Sequence, residues 1–254
     1  MKIVLYILSS LSVIGTWLPM LDCAHWIVRG QSYFRGFYLG LNLILLTLVL
    51  IFLPFDIYTI LFIGLLLSAI ILALTSILPF TPLNSIEVPL TKNKEIKTSI
   101  TLMIYNVYQF NDKYQELIDL VYQEKPEVLF LIETDSKWAE GVKELRDHFK
   151  YHFDEIRENT YGLMFFTNHK VLEGGVNYLV KSTIPSAEAL LDISGVKVRV
   201  LGLHPKPPFP SEAKTTHYKD RELAQAARYF NAQKEDDHQI LIGDLNDVAW
   251  SRAS

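Results

Sequence analysis

Apolar residues run without a charge through three stretches of the chain, residues 3–21, 36–55 and 57–80. Beyond residue 98 they alternate with polar residues or recur at helical spacing. At 1.5 Å of rise per residue, each of the three runs is long enough to cross a hydrocarbon core of roughly 30 Å. Backbone in lipid must satisfy its own hydrogen bonds, so each run predicts a transmembrane helix. Only Asp56, shortly after Pro54, divides the second run from the third, which predicts a tight turn and an antiparallel hairpin. Trp17, Trp26, Tyr33, Phe34 and Tyr38 fall near the span ends, where amphipathic rings favour the membrane interface. The first run is long for the apolar segment of a cleaved signal, and no small-residue cleavage site is obvious after it. Leu21-Asp22-Cys23 also lacks the small residue that a lipidated cysteine needs ahead of it.

Residues 81–97 contain Pro82 and Pro89 with several Asn and Lys and no periodicity, which predicts a linker. From residue 98 strands and helices alternate. Ile100, Leu102 and Ile104 predict a strand ending at Asn106, and Tyr114, Leu117, Ile118 and Val121 predict a helix capped by Asn111 or Asp112 and ended by Lys125-Pro126. The continuous apolar run 128–132 predicts a buried strand that stops at Glu133. Trp138, Val142, Leu145 and Phe149 predict a second helix, capped by Asp135 or Ser136. Residues 162–167 read as a strand, and 187–193 with 196–203 read as a hairpin across Ser194-Gly195. A helix is expected over about 213–233, then a short buried strand 239–243 that runs into Asp244-Leu245-Asn246.

Charge divides the chain in the same place. Of 24 Lys and Arg, only Lys2, Arg29 and Arg35 lie in the first 80 residues; of 28 Asp and Glu, only Asp22 and Asp56 do. The remainder holds 21 basic and 26 acidic residues, a net charge of −5. A fully soluble, disordered or collagen-like chain is thereby excluded. The single cysteine, Cys23, excludes a disulfide framework and a cysteine-based zinc site. The acidic remainder argues against a broad basic nucleic-acid face. Spans without a charged residue argue against a transporter. Lys2 and the α-amino group favour a cytoplasmic N-terminus and an external C-terminal domain, whereas Arg29 and Arg35 favour the reverse. The reading leans slightly to an extracytoplasmic domain on a multi-pass membrane protein.

Four of the expected strands end in polar residues: Asn106, Glu133, His204, and Asp244 with Asn246. Polar groups at strand tips are where α/β sheets build sites. Two carboxylates can hold a hard divalent cation such as Mg²⁺ and orient a water. Two amides can bind phosphate oxygens without adding negative charge. A histidine can donate a proton or stabilise charge on a phosphoryl group. Taken singly, each has a plain alternative: a solvated strand end for Glu133, a turn former for Asn106, a loop histidine for His204, and turn residues for Asp244 and Asn246. The other histidines show no metal-ligand spacing.

The order of these parts resembles the endonuclease/exonuclease/phosphatase superfamily, the DNase I-like phosphohydrolases. The segments that carry the resemblance are Tyr105-Asn106-Val107, Pro126 to Glu133, Tyr161 to Thr167, Leu203-His204-Pro205 and Ile242-Gly243-Asp244-Leu245-Asn246-Asp247. It spans about residues 98–254, and membrane spans ahead of such a domain are similar to a bacterial subgroup placed in the cell or inner membrane. The resemblance implies an α/β fold, a four-layer sandwich after three transmembrane helices, and cleavage of phosphate esters by metal-activated water with Mg²⁺ or Mn²⁺. Carried over by position, Glu133 ligates the metal and Asn106 lies beside metal and phosphate. Asp244 orients or deprotonates the attacking water, Asn246 contacts the phosphate, and His204 acts on the scissile phosphate. Arg221 reads better as a solvated helix charge than as an anion contact. The implied partners are the bilayer and a phosphate-ester substrate that is lipid-linked, nucleic acid or small, with a slight lean to a membrane-proximal phosphodiester; no protein partner is evident.

Two features depart from the family pattern. Ile132 stands where members often carry Gln before the metal-binding Glu, and no Ser-Asp-His motif follows Asn246 before Ser254. The expectation is therefore an incomplete sandwich with apolar sheet edges uncovered, poorly stable and nearly inactive as 254 residues, which vigorous Mg²⁺-dependent hydrolysis would refute. The alternative reading is a non-catalytic membrane-bound fragment that only binds a phosphorylated ligand or partner.

Overall fold

A computed structural model describes residues 2–85, 99–207, 209, 212–233 and 238–251. Most of the expected linker, from residue 86, lies outside the described residues. The chain forms two compact units, one of residues 1–91, 207–217 and 247–254, the other of residues 92–206 and 218–246.

In the first unit, apolar sequence becomes helix wherever proline permits. Three helices are long and apolar enough to cross a membrane: Lys2–Met20, Trp26–Phe52 and Ile57–Phe80. The first is α1 (Lys2–Trp17) followed by a 3₁₀ turn at Leu18–Met20, where Pro19 removes a backbone donor. The second starts ahead of the expected residue 36, as α2 (Trp26–Gly30), a 3₁₀ turn (Gln31–Phe34) and α3 (Arg35–Phe52). It stops at Phe52 rather than residue 55, because the residue before Pro54 is forced out of helical geometry; Leu53 is extended. The third contains α4 (Ile57–Ile77), capped by the Asp56 carboxylate on Thr59 N–H at 2.8 Å. Asp56 also accepts from Lys2 Nζ at 2.8 Å, so α1 begins beside the turn between α3 and α4. Leu45, Val49, Leu66 and Ala69 form the bundle core with Leu5 and Val13. Within it Ser12 Oγ donates to Asn42 Oδ1 (2.8 Å) and Asn42 Nδ2 donates to Thr16 Oγ1 (2.9 Å), the small-residue and amide pairing that joins helices where no water competes. Segments from late in the chain complete this unit. Trp26 N–H donates to Lys214 O, Thr216 N–H to Ala24 O, and Trp250 Nε1 to Ser32 O.

The second unit is built on two sheets, with the strands at residues 128–132 and 163–167 buried on both faces. β1 (Leu102–Asn106), β2 (Val128–Ile132), β3 (Tyr151–Glu155) and β4 (Leu163–Thr167) form one sheet in the order β1-β2-β4-β3. β5 (Lys170–Asn177), β6 (Ser186–Ile193), β7 (Val196–Leu203) and β8 (His238–Gly243) form the other in sequence order. Side chains alternate across each sheet. Val128, Phe130, Ile132, Leu163 and Phe165 face Ala189, Leu191, Val198 and Val200 between the sheets. Leu129, Leu131, Met164 and Phe166 face outward, onto α5 (Tyr114–Glu124), α6 (Ser136–Gly141) and α7 (Leu145–His148). Leu201 and Leu203 pack on α8 (His217–Asn231). The layers are thus helix, sheet, sheet, helix, the DNase I-like sandwich expected above.

Several elements differ from expectation. β3 and β5 were read as no element at all. The second helix is two pieces, because Gly141 leaves space for the Tyr114 ring, whose atoms stand 2.4 Å from where a Cβ would be. Its cap is Asp135, on Trp138 N–H at 2.9 Å. α5 has no side-chain cap; Asn111 instead accepts from Lys113 N–H. α8 starts at His217, four residues later than expected. The strand expected from residue 100 starts at Leu102. Ile104 and Tyr105 of β1 and Leu241 of β8, each in an edge strand of its sheet, are exposed.

On α8, Glu222 is 1% exposed, and among the described residues neither carboxylate oxygen finds a hydrogen-bond partner. Burial pushes its carboxyl up to about 7. An acid with a raised folded pKa weakens the fold as pH climbs from the unfolded value near 4.5 through 7. Glu222→Gln removes a penalty of about 3 kcal/mol above that window and almost nothing below it. Thermal melts should therefore show the variant several degrees more stable at pH 8 and level with the parent at pH 4; a pH-independent difference would contradict this.

Candidate active site

The parallel pairings set the site. β1 runs parallel to β2 with Asn106 opposite Ile132, so Asn106 lies next to Glu133, one residue beyond the β2 tip. β7 runs parallel to β8 with Leu203 opposite Gly243, so His204 and Asp244 emerge together. The two tips meet on one amide. Asn106 Nδ2 donates to Glu133 Oε1 at 2.8 Å and to Asp244 Oδ2 at 3.2 Å. His204 Nε2 stands 3.9 Å from the same Glu133 oxygen. Asn106, Glu133, His204 and Asp244 thus line one place, as the sequence reading required.

Backbone geometry holds these groups in position. Glu133 adopts a left-handed conformation (φ 65°), which costs a non-glycine residue of order 1 kcal/mol and aims its carboxylate off the strand line. The turn is clamped from behind: Thr134 N–H donates to Gly162 O at 3.1 Å, and a Cβ on Gly162 would lie 1.8 Å from Thr134 O. Gly243 is the matching clamp under Asp244, with φ 138° and only 1.9 Å between a would-be Cβ and Leu203 O. Asp244 Oδ1 accepts from Asn246 N–H at 3.0 Å. Asn246 Nδ2 donates to Pro205 O at 2.9 Å, so Asn246 ties the β8 tip to the β7 tip. Arg221 is exposed on α8.

Three neighbours carry no assigned role in the sequence reading. Gln109, buried in the loop after β1, donates its backbone N–H to Glu133 Oε2 at 3.4 Å and its side chain to Glu158 O. The Tyr161 ring lies 5.7 Å from the His204 ring, and Lys206 Nζ lies 5.3 Å from the centre of the same tyrosine. Lys206 was findable as a cation two residues after His204; nothing in sequence marked Gln109.

The donor set fits a hard divalent ion. Two carboxylates and a carboxamide offer the oxygens such an ion takes, and Mg²⁺ engages one or two carboxylates while completing its shell with water and phosphate. Among the described residues no group of three or more His, Cys, Asp or Glu is placed to hold a metal. Asn106 turns its NH₂ to the carboxylates while its Oδ1 accepts from Tyr108 N–H at 3.0 Å; in this orientation it clamps the acids rather than ligating.

Two sheets face to face with acid, amide and imidazole at their adjoining tips define a DNase I-like sandwich. The chain belongs to the endonuclease/exonuclease/phosphatase family, whose model matches residues 103–254. Among solved structures it is similar to a humanized D. rerio TDP2 carrying 14 mutations (17% identity, TM-score 0.52, 61% of this chain and 65% of that one). D. rerio TDP2 complexed with a single-strand DNA product aligns with 18% identity and TM-score 0.52, over 61% and 63% of the two chains. Sphingomyelinase C from Streptomyces griseocarneus aligns with 16% identity and TM-score 0.50, over 61% and 68%. These likenesses establish the fold, and the chain spans about 65% of the first of these structures. A comparison with curated proteins finds no match.

Proposed function

We propose that the protein is a membrane-anchored, divalent-metal-dependent phosphodiester hydrolase whose site is Asn106, Glu133, His204, Asp244 and Asn246. The observation that carries this is the single amide of Asn106 bridging carboxylates from the tips of both sheets. Two anions drawn to one donor gain from a cation between them, and a phosphate ester supplies the remaining oxygens. Family membership and the sandwich fold support the reaction class. The three apolar helices support the anchor.

Glu133, with Asp244 facing it, holds the ion, Mg²⁺ or Mn²⁺. When bound, the ion polarises a phosphate oxygen and offsets charge that builds in the transition state. Asp244 accepts a hydrogen bond from the attacking water and orients it toward phosphorus. His204 Nε2 donates to a non-bridging oxygen, and the Asn246 carboxamide contacts the same phosphoryl group. Asn106 keeps the two carboxylates in register.

The test is hydrolysis of bis(p-nitrophenyl) phosphate by the full chain in lipid nanodiscs. Turnover should vanish on chelation and return with Mg²⁺ or Mn²⁺. Turnover indifferent to a chelator would contradict the proposal.

A further inference from the structure

Arg35, the first residue of α3, is 2% exposed, a guanidinium taken almost wholly out of solvent. Among the described residues its side chain makes one hydrogen bond, from Nη1 to Ser76 Oγ at 2.7 Å, and the buried Nε finds no acceptor. Ser76 Oγ in turn donates to Leu72 O at 2.8 Å, so it positions the guanidinium and brings no charge. No carboxylate among the described residues forms an ion pair with Arg35. The other end of the helical bundle gives the contrast. There Lys2 Nζ meets Asp56 Oδ2 at 2.8 Å and the two charges cancel. Asp56 caps the start of α4, and Ser76 lies twenty residues further on, about 30 Å along the helix, so that acid is out of reach of Arg35. Asp22, between the first two spans, is exposed and forms no ion pair among the described residues. Arg29, in α2, repeats the pattern: its Nε is buried without an acceptor, and no described carboxylate pairs with it.

An uncompensated buried charge is strongly destabilising, and an ionisable residue inside a membrane bundle calls for a partner. Ser76 sits in the last turn of α4, where the helix carbonyls carry roughly half an elementary negative charge. That offsets the guanidinium only in part, and a full anion completes it. With Nη1 on Ser76, the edge formed by Nε and Nη2 remains, and its two parallel N–H bonds match the oxygens of a carboxylate or a phosphate. Gly36 leaves room alongside, since nothing lies within 4 Å of where its Cβ would be. Trp26, Tyr33 and Phe34 precede Arg35 in the same span, and the last two are exposed. Rings of this kind settle at headgroup depth, where phosphate is the anion at hand.

We propose that the Nε and Nη2 edge of Arg35, held by Ser76, is the floor of an anion site that takes a phosphate group, carried by an anionic lipid headgroup or as the free ion. Arg29 adds positive charge at the same end of the bundle. The site lies wholly in the first unit and uses none of the strand-tip residues. Its lipid form rests on the bilayer reading of the three apolar helices, and neither form rests on the hydrolysis. Native mass spectrometry of the full chain in dodecyl maltoside, titrated with dioleoylphosphatidylglycerol, should show one tightly retained lipid per chain. Arg35→Gln should weaken that binding about tenfold or more, and Lys2→Gln, at the other end, less than about twofold. Dioleoylglycerol, which lacks the phosphate, should not be retained. If Arg35→Gln does not fold, Arg35→Lys and Ser76→Ala serve, each expected to weaken binding about threefold or more. Retention of the lipid in about 10 mM inorganic phosphate assigns the headgroup. Displacement of the lipid, with the lipid-free parent melting several degrees higher in phosphate and Arg35→Gln unmoved, assigns the free ion to the same edge. Equal retention of phosphatidylglycerol by parent and Arg35 variants, or equal retention of dioleoylglycerol, overturns the lipid form; melting indifferent to phosphate as well overturns the site. A chain that stays in solution without detergent refutes the bilayer reading instead, and the phosphate melts then decide the site alone.

Discussion

Glu133→Gln is expected to lower hydrolysis of bis(p-nitrophenyl) phosphate by about three orders of magnitude, close to 4 kcal/mol of transition-state stabilisation. Glutamine keeps the shape and one oxygen, so the Asn106 amide retains a partner and the β2 tip keeps its turn. What disappears is the negative charge that binds a cation. The melting temperature should stay within a few degrees of the parent, because a half-buried carboxylate beside a second one contributes little to folding. Asp244→Asn should give a similar loss for a similar reason, and the two losses should not add, since both acids serve one ion. Kinetics of both single variants and the double variant, with melts alongside, check this. Unchanged turnover in either single variant would remove that residue from the site, and a large drop in melting temperature would recast it as a structural group.

Gly243→Ala is expected to be among the most disruptive single methyls in the chain. The added Cβ would lie 1.9 Å from Leu203 O, and the backbone there is at φ 138°, where a side chain is strained whatever the space. Backbone cannot yield as a flexible side chain can, so the parallel β7–β8 pairing must shift. Strain and overpacking together cost about 3 kcal/mol or more, near 10 °C in melting temperature for a unit of this size. The movement also displaces Asp244 from Asn106, so turnover should fall with it. Gly195→Ala is the control: its φ is 89°, but nothing lies within 4 Å of the added atom, and about 1 kcal/mol is expected. Equal melting temperatures for the two variants would show that the close approach at Leu203 does not constrain the fold.

These two sites mark how far the sequence could be read. Glu133 was legible because five apolar residues, 128–132, end abruptly in a carboxylate, and a strand buried on both faces has no other place for a charge. Asp244 was legible for the same reason at the end of β8. Their meeting was not legible in residue patterns alone, since it depends on parallel registers that only crossovers through α5 and α8 create; there the family resemblance carried the reading. β5 escaped because Gly174 and Gly175 interrupt it and a bulge between Val171 and Glu173 breaks the alternation. β3, Tyr151–Glu155, has one aliphatic-type partner for the core, Phe153, which stacks on Phe165, and its remaining residues are polar or amphipathic. Gln109 was invisible because a polar residue in a loop carries no pattern. The three long apolar helices were the plainest part, except where Arg29 and Arg35 lie within a helix that apolar runs alone would have started later.

The chemistry proposed for this molecule depends on the two strand-tip carboxylates sharing a cation. Titration of Mn²⁺ into the full chain in nanodiscs, followed by electron paramagnetic resonance, measures that directly. One ion per chain should bind to the parent protein, and binding should weaken by about a hundredfold in both Glu133→Gln and Asp244→Asn. Undiminished binding in the two variants would place the ion elsewhere and contradict the site.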